Sequence, residues 1–545
     1  MVLHPFQVAI IGIRQASIMV STRQIAVVAT SFFSAVSTSA VGSRAPGPVA
    51  SVSCNGKAYS YDGVAGYGFV TSDLRDQYGD TISIGSSMAV KEWKRHGKQY
   101  KGVLYGLPDR GFNTNGTINF IGRVHIFDIT FTPAPDATTV TKPSAPNLEF
   151  KYKRTVLLSG PDGKPVTGLD PDFTGGFTYP GFPTMPAATY PGDGFGGAGP
   201  GDKRISIDAE GLVVNEDGSF WISDEYGPFV YKFSSQGKML AAIQPPDATL
   251  PIRNGRVSFN SNTPPIYNTS LVPVPKDPDH GRQNNQGFEG LTMSPDGKNL
   301  WVMLQSAARQ EGGASSSRRK NTRFLHYSLE IPKKDDTGKV EYKGEYIVPL
   351  PTFLNAENET RVAAQSEIHF VSDTQFLVLT RDSGTGRGQK DAFSRYRHVD
   401  VVDISGASNV KDLQGGKYDG LRDGNVTVGG IDKPCMSPPL PPPSLCIWLT
   451  YIWFGSADVL VNEITPAKLC SFLDFNINSE LGKFKSRAKD GDAIHNGAPV
   501  NLGLLNEKWE ALALLPVNGG KDCDERDEYF LIALSDNDFI TDDGK

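Results

Sequence analysis

Cysteine and histidine are scarce in this sequence, and their scarcity removes several chemistries at once. The chain has five cysteines and eight histidines in 545 residues. Cys54, Cys435, Cys446, Cys470 and Cys523 show none of the paired spacings of a thiolate zinc site. In an oxidising compartment they can form one or two disulfides, whose pairing is not readable from their order. His125, His326 and His369 sit in apolar, strand-like surroundings that suit packing. No Gly-x-Ser-x-Gly elbow occurs, so the serine-esterase nucleophile of that type has no support. No apolar run reaches the roughly 18–20 residues of a spanning helix. A formal charge of −6 leaves no basic excess for nucleic acid.

Acidic residues are absent from residues 1–45, and that absence marks a targeting segment. Arg23 precedes the uncharged stretch from Ile25 to Val36, and the small residues of 37–43 follow. Basic, then apolar, then small is the order of a secretory signal. Arg14 and Arg23 interrupt the earlier apolar material, so Met19 reads as the true start and residues 1–18 as an upstream extension. A mitochondrial presequence is the alternative. The sequons at Asn115, Asn268, Asn358 and Asn425 agree with glycosylation of a secreted protein.

What the chain has in abundance is turns, with 58 Gly and 38 Pro. Two stretches nearly repeat. Asp208-Ala-Glu-Gly-Leu leads through Asp217-Gly218 to Trp221-Ile-Ser-Asp-Glu225, and Gly287-Phe-Glu-Gly-Leu leads through Asp296-Gly297 to Trp301-Val-Met-Leu304. Asp-Gly between two β-rich runs predicts a hairpin. A recurring hairpin must bury its face against further copies, which predicts stacked four-stranded units. Weaker copies occur around Ser87–Gly111, Gln365–Asp382 and Lys508–Asp538. The fold class expected is therefore all-β, a β-propeller of six blades, with five or seven as alternatives.

The second strand of each copy ends in polar residues: Asp109-Arg110, Asp224-Glu225, Gln305-Ser306, Arg381-Asp382 and Asp536-Asn537-Asp538. Equivalent strand ends share one face, so these groups are expected to converge. Polar insertions at 244–286, 306–322 and 383–397 separate strands, and Arg318-Arg319-Lys320 and several arginines of the third could clamp phosphate from above. The glycine-rich run 190–201 reads as a surface loop rather than a phosphate cradle. Residues 434–457 break the pattern with a proline tract that cannot be an inner strand. Their codons can carry splice signals in frame, so a retained intron is one reading and a partner-binding loop the other.

Asp109-Arg-Gly-Phe-Asn113, Ala209-Glu-Gly-Leu with Ser223-Asp-Glu-Tyr-Gly227, Gly287-Phe-Glu-Gly-Leu291, and Lys508-Trp-Glu510 with Leu534-Ser-Asp-Asn-Asp-Phe539 resemble the phytase-like family, in its fungal secreted branch. The resemblance covers roughly residues 57–540 and implies a propeller with phosphoric-ester hydrolysis. On that reading Glu210, Glu289, Asp224 and Glu510 are catalytic, and Arg110 and Arg381 hold the substrate. Asp109, Glu225, Asp382, Asp536 and Asp538 are metal ligands, with Ca²⁺ the expected cofactor. A ring of like charges needs protons or a hard cation, and calcium accepts six to eight oxygens in irregular geometry. Each acid has a plainer role open to it, accepting backbone N–H groups. A monomer acting on a small phosphorylated or ester substrate is expected. A calcium-dependent lactonase or diesterase and a non-catalytic extracellular binding propeller are the alternatives.

Overall fold

The computed structural model describes residues 6–17, 47–112, 115–329, 340–386, 389–428, 458–505, 508–519, 527–536 and 539. The described chain is nearly all β. The anomalous stretch 434–457 and the apolar stretch 25–36 both lie outside the described residues.

Among the described residues five four-stranded antiparallel units recur, where the sequence reading expects six with five or seven as alternatives. The first runs through Ser87–His96, Gln99–Leu107, Arg123–Phe131 and Leu148–Leu157. The second holds Ala209–Val214, Phe220–Asp224, Val230–Phe233 and Met239–Ile243. The third holds Phe288–Met293, Asn299–Leu304, Asn321–Leu329 and Val340–Pro349. The fourth holds Ala364–Phe370, Gln375–Arg381, Arg397–Asp403 and Lys468–Asp474. The fifth joins Trp509–Pro516 and Asp527–Ser535 to two N-terminal strands, Phe6–Ser17 and Lys57–Val70. One parallel pair, Gly68 with Leu148, links its outer edge to the first unit.

The first strands of the five units are neighbours in cyclic order. Ser87–His96 touches Ala209–Val214, which touches Phe288–Met293, then Ala364–Phe370, then Trp509–Pro516, which returns to Ser87–His96. The approach is close. A Cβ on Gly290 would lie 2.6 Å from the backbone nitrogen of Ile368 on the next sheet, so only glycine fits. Hydroxyls stitch the ring. Ser223 Oγ donates to the Glu289 carbonyl at 2.6 Å, and Ser366 Oγ donates to the Trp509 carbonyl at 3.0 Å. Ser83 Oγ closes the circuit on Asp536 at 2.8 Å. Apolar cores fill the spaces between sheets. Val213 and Trp221 of the second pack with Leu300 and Val302 of the third, and Trp301 of the third with Phe376 and Val378 of the fourth.

The sequence reading sets residues 1–18 ahead of the true start; the structure gives Phe6–Ser17 a central place in the fifth sheet. Its alternation explains this. Val8 and Ile10 enter one core, and Ala9, Ile11 and Ile13 the other. Cys54 and Cys470 are bonded, with Cα atoms 6.0 Å apart. The bond ties the edge strand Ala50–Cys54 to the outer strand of the fourth sheet.

Candidate active site

The repeated Glu-Gly-Leu hairpins position the site through an irregularity. Ala209 pairs with Asp224 and Leu212 with Ile222, so Glu210 and Gly211 bulge out of the ladder. Glu289-Gly290 and Glu510 sit at the same irregularity in the third and fifth sheets. A bulge re-aims side chains that regular pleating would face into the sheets. Glu210, Glu289 and Glu510 thereby line one cavity of about 410 Å³, and Gln365 takes the corresponding place on the fourth sheet. Asp109, Asp208 and Glu225 complete six carboxylates in its wall, against Arg110, Arg319, Arg381 and Lys508. All three polar insertions reach it, through Asn284–Gln286, Arg319 and Ser383.

Asp208, Glu210 and Glu225 form the tightest group. One carboxylate oxygen from each lies within 4.8 Å of the others, and all three residues are buried. Burial, then the charges of Glu289, Asp208, Glu225 and Glu510, push Glu210 well above the usual carboxyl range. Glu225 is raised by burial, then by Glu289 and Asp208, against the pull of Arg110. Glu289 rises to about 8 through burial and Glu510, opposed by Arg381. Gln305 Nε2 donates to Glu289 Oε1, while Glu289 Oε2 and Glu225 Oε1 are sealed without a hydrogen-bond partner. Sealed, unbonded carboxylate oxygens in an oxygen-only donor set fit a hard cation such as Ca²⁺, and they also fit protons.

The cations are positioned by the same acids. Arg110 Nη1 lies 2.9 Å from Asp208 Oδ2, its backbone N–H donates to Asp208 Oδ1 at 3.1 Å, and its guanidinium lies over the Tyr226 ring at 5.5 Å. Arg381 pairs with Glu510. Lys508 reaches Glu510 at 3.5 Å and Asp536 at 3.1 Å.

Three nominated acids stand apart from the cavity wall. Asp224 accepts the backbone N–H groups of Asp208, Tyr226 and Gly227 and the Tyr231 hydroxyl. Burial still lifts it to about 7. It therefore holds the Asp208 and Glu225 segments in place rather than entering the cavity. Asp382 accepts Ser394 Oγ at 2.7 Å and the Arg395 N–H at 2.6 Å. Asp536 is buried beneath Ser83 and Lys508. Asp538 lies outside the described residues.

Sequence reasoning passed over Asp208 and Lys508. The available signal was period two: each stands two residues before a bulged glutamate. The glycine-rich loop is accounted for by Asp193, whose own carboxylate accepts the N–H groups of Phe195 and Gly197. His125 and His326 pack, the latter stacked on Trp301 at 3.7 Å. Asn115, Asn268 and Asn358 are exposed, whereas Asn425 is partly buried and accepts from the Thr427 N–H and hydroxyl.

The profile of the phytase-like family, described as esterase-like activity of phytase, matches residues 97–428. A protein of Arthroderma benhamiae, described as an uncharacterized secreted protein, is 46% identical over 504 residues, covering 90% of this chain and 89% of its own. The chain belongs to the phytase-like family. The matched region holds five of the six cavity carboxylates, with Arg110, Arg319 and Arg381, so the family region carries most of the site; Lys508 and Glu510 lie beyond it.

Proposed function

We propose that this secreted protein is a phytase-like phosphoric-ester hydrolase, its five sheets the blades of a propeller around the acidic cavity. One observation carries the reading: six carboxylates and four cations share one cavity wall at the ring of first strands. Carboxylates without cations would suit a metal alone, and an apolar wall would suit a lactone. Mixed charge suits a cation together with an anionic ester. Asp208, Glu210 and Glu225 are the residues to hold Ca²⁺, which would supply charge neutralisation and polarise a bound oxygen.

The chain's own groups supply the rest. Arg381 and Lys508 stand at the wall to attract and orient an ester oxyanion, and Arg110 fixes Asp208 from behind. Glu289, whose carboxyl burial and Glu510 push up to about 8, is placed to donate a proton to a leaving oxygen, with Gln305 orienting the carboxyl. Asp224 keeps the Asp208–Glu225 pair in register. No helix among the described residues is long and apolar enough to cross a membrane.

The test is phosphate release from phytate and from an aryl phosphate ester, after dialysis against chelator and after calcium is restored. Calcium-dependent turnover that is lost in Glu210→Gln and falls at least a hundredfold in Glu289→Gln is expected. No turnover of either ester, with or without calcium, refutes the hydrolase reading.

A further inference from the structure

A second cavity of about 280 Å³ adjoins the acidic one across Arg319, Arg381 and Ser383. Its charge balance is inverted. Arg319, Arg361, Arg381, Lys390 and Arg395 line it against three acids. Those acids are engaged: Asp382 by Ser394 and the Arg395 N–H, Asp391 by the Arg395 guanidinium at 3.0 Å, and Glu357 by Lys390 at 3.7 Å. Arg381 is turned to Glu510 in the first cavity, and Arg361 has exposed Glu359.

Arg319 is left over. Its Nε is sealed from solvent and has no hydrogen-bond partner, and no acid lies within ion-pair distance among the described residues. Burial, and then the like charge of Arg361, lowers its proton affinity. Two guanidinium groups line one cavity, and Arg319 has no counter-charge within ion-pair distance among the described residues. A largely buried, unpaired charge is costly unless a ligand of opposite sign meets it. Arginine forks match tetrahedral oxyanions bidentately.

We propose that this second cavity is an anion subsite, in which Arg319 and Arg361 hold a phosphate- or sulfate-type oxyanion. The oxyanion belongs either to free inorganic anion or to a second anionic group on the molecule whose ester occupies the first cavity. Only the second case rests on the hydrolase reading; the anion site itself does not.

The test is calorimetric titration of the chelator-treated protein with inorganic phosphate and, separately, with sulfate at fixed ionic strength. Chelation removes any cation of the first cavity, so failure of the hydrolase reading leaves this readout intact. Wild type is expected to bind phosphate, Arg319→Met to bind at least tenfold more weakly, and Arg361→Met several-fold more weakly. Equal binding of sulfate identifies a general oxyanion site, and preference for phosphate identifies a phosphate site. Failure of wild type to bind either anion overturns the proposal, as does binding unchanged in both arginine variants. Arg361 is partly exposed at the edge of the cavity, so Arg361→Met decides the matter alone if Arg319→Met does not fold.

Discussion

Replacing Arg323 with Met should destabilise the protein at pH 7 and much less at pH 5. Arg323 is fully buried on the third sheet. Its Nη2 lies 2.5 Å from Glu311 Oε1, its Nε bonds Glu311 Oε2 at 3.1 Å, and its Nη1 pairs with Glu345. Both acids are fully buried as well. Glu311 also accepts the Val426 N–H, and the cluster anchors the insertion that carries Arg319 to both cavities. Without Arg323 the two carboxyls avoid a stranded charge by taking protons. Starting from an ordinary value of 4.5, protonation at pH 7 costs about 3.4 kcal/mol each, so about 7 kcal/mol bounds the charge term. At pH 5 the same arithmetic gives about 0.7 kcal/mol each. The sign follows from raised folded pKa values: the neutral acids' contribution is complete below the unfolded value and is lost as pH rises. An expected deficit of about 3–7 kcal/mol at pH 7 should therefore fall by at least half at pH 5. Denaturant unfolding of both proteins at each pH measures it. A deficit equal at the two pH values refutes the ionised triad. Recovery of stability by Glu345→Gln in the variant would support it.

Three further outcomes are expected. Cys470→Ser should lose about 6 kcal/mol by loop-closure entropy, because the Cys54 bond closes a separation of 416 residues; a reductant should lower the melting temperature of wild type and leave that of the variant unchanged. His125 is buried neutral and pushed down to about 3, by burial and then by Arg123. Its contribution is present above pH 6.5 and is lost as pH falls toward 3, so wild type should lose about 3 kcal/mol by pH 4 that His125→Gln retains, measured by unfolding at pH 7 and 4. A chain begun at Met19 lacks the strand Phe6–Ser17 and bares the edges of Asp527–Ser535 and Lys57–Val70; it should be less stable and less soluble than the full chain, and N-terminal sequencing of secreted material identifies which chain is made.

Much of the fold was legible because local rules acted alone. Asp217-Gly218 and Asp296-Gly297 turn where sequence places them, with both glycines at positive φ. The closing sheet was less legible, because its members lie at opposite ends of the chain. Lys57–Val70 and Phe6–Ser17 stand far in sequence from the strands they join, and Phe6–Ser17 reads as upstream of the true start. Its alternation of apolar residues over two faces is brief enough to allow that reading. The Cys54–Cys470 bond was unreadable for the same reason, since five cysteines allow several pairings and only the packed sheets choose one.

The site divides along a finer line. Glu210, Glu289 and Glu510 reach the cavity, while Asp224, Asp382 and Asp536 stand back from it, although all six are acids at strand ends. The difference is what the neighbouring backbone asks of each. A first-strand glutamate follows a ladder interruption, so its side chain leaves the sheet and meets the equivalents from other sheets. A second-strand aspartate is short and sits where the chain turns, with orphan N–H groups within reach. Asp224 takes three of them, and Asp382 takes one with a serine hydroxyl. A carboxylate spent on backbone donors has fewer lone pairs for a ligand. Glu225 and Glu289 each retain a sealed oxygen with no partner, and it is there, rather than at the most acidic-looking strand ends, that the structure leaves room for chemistry.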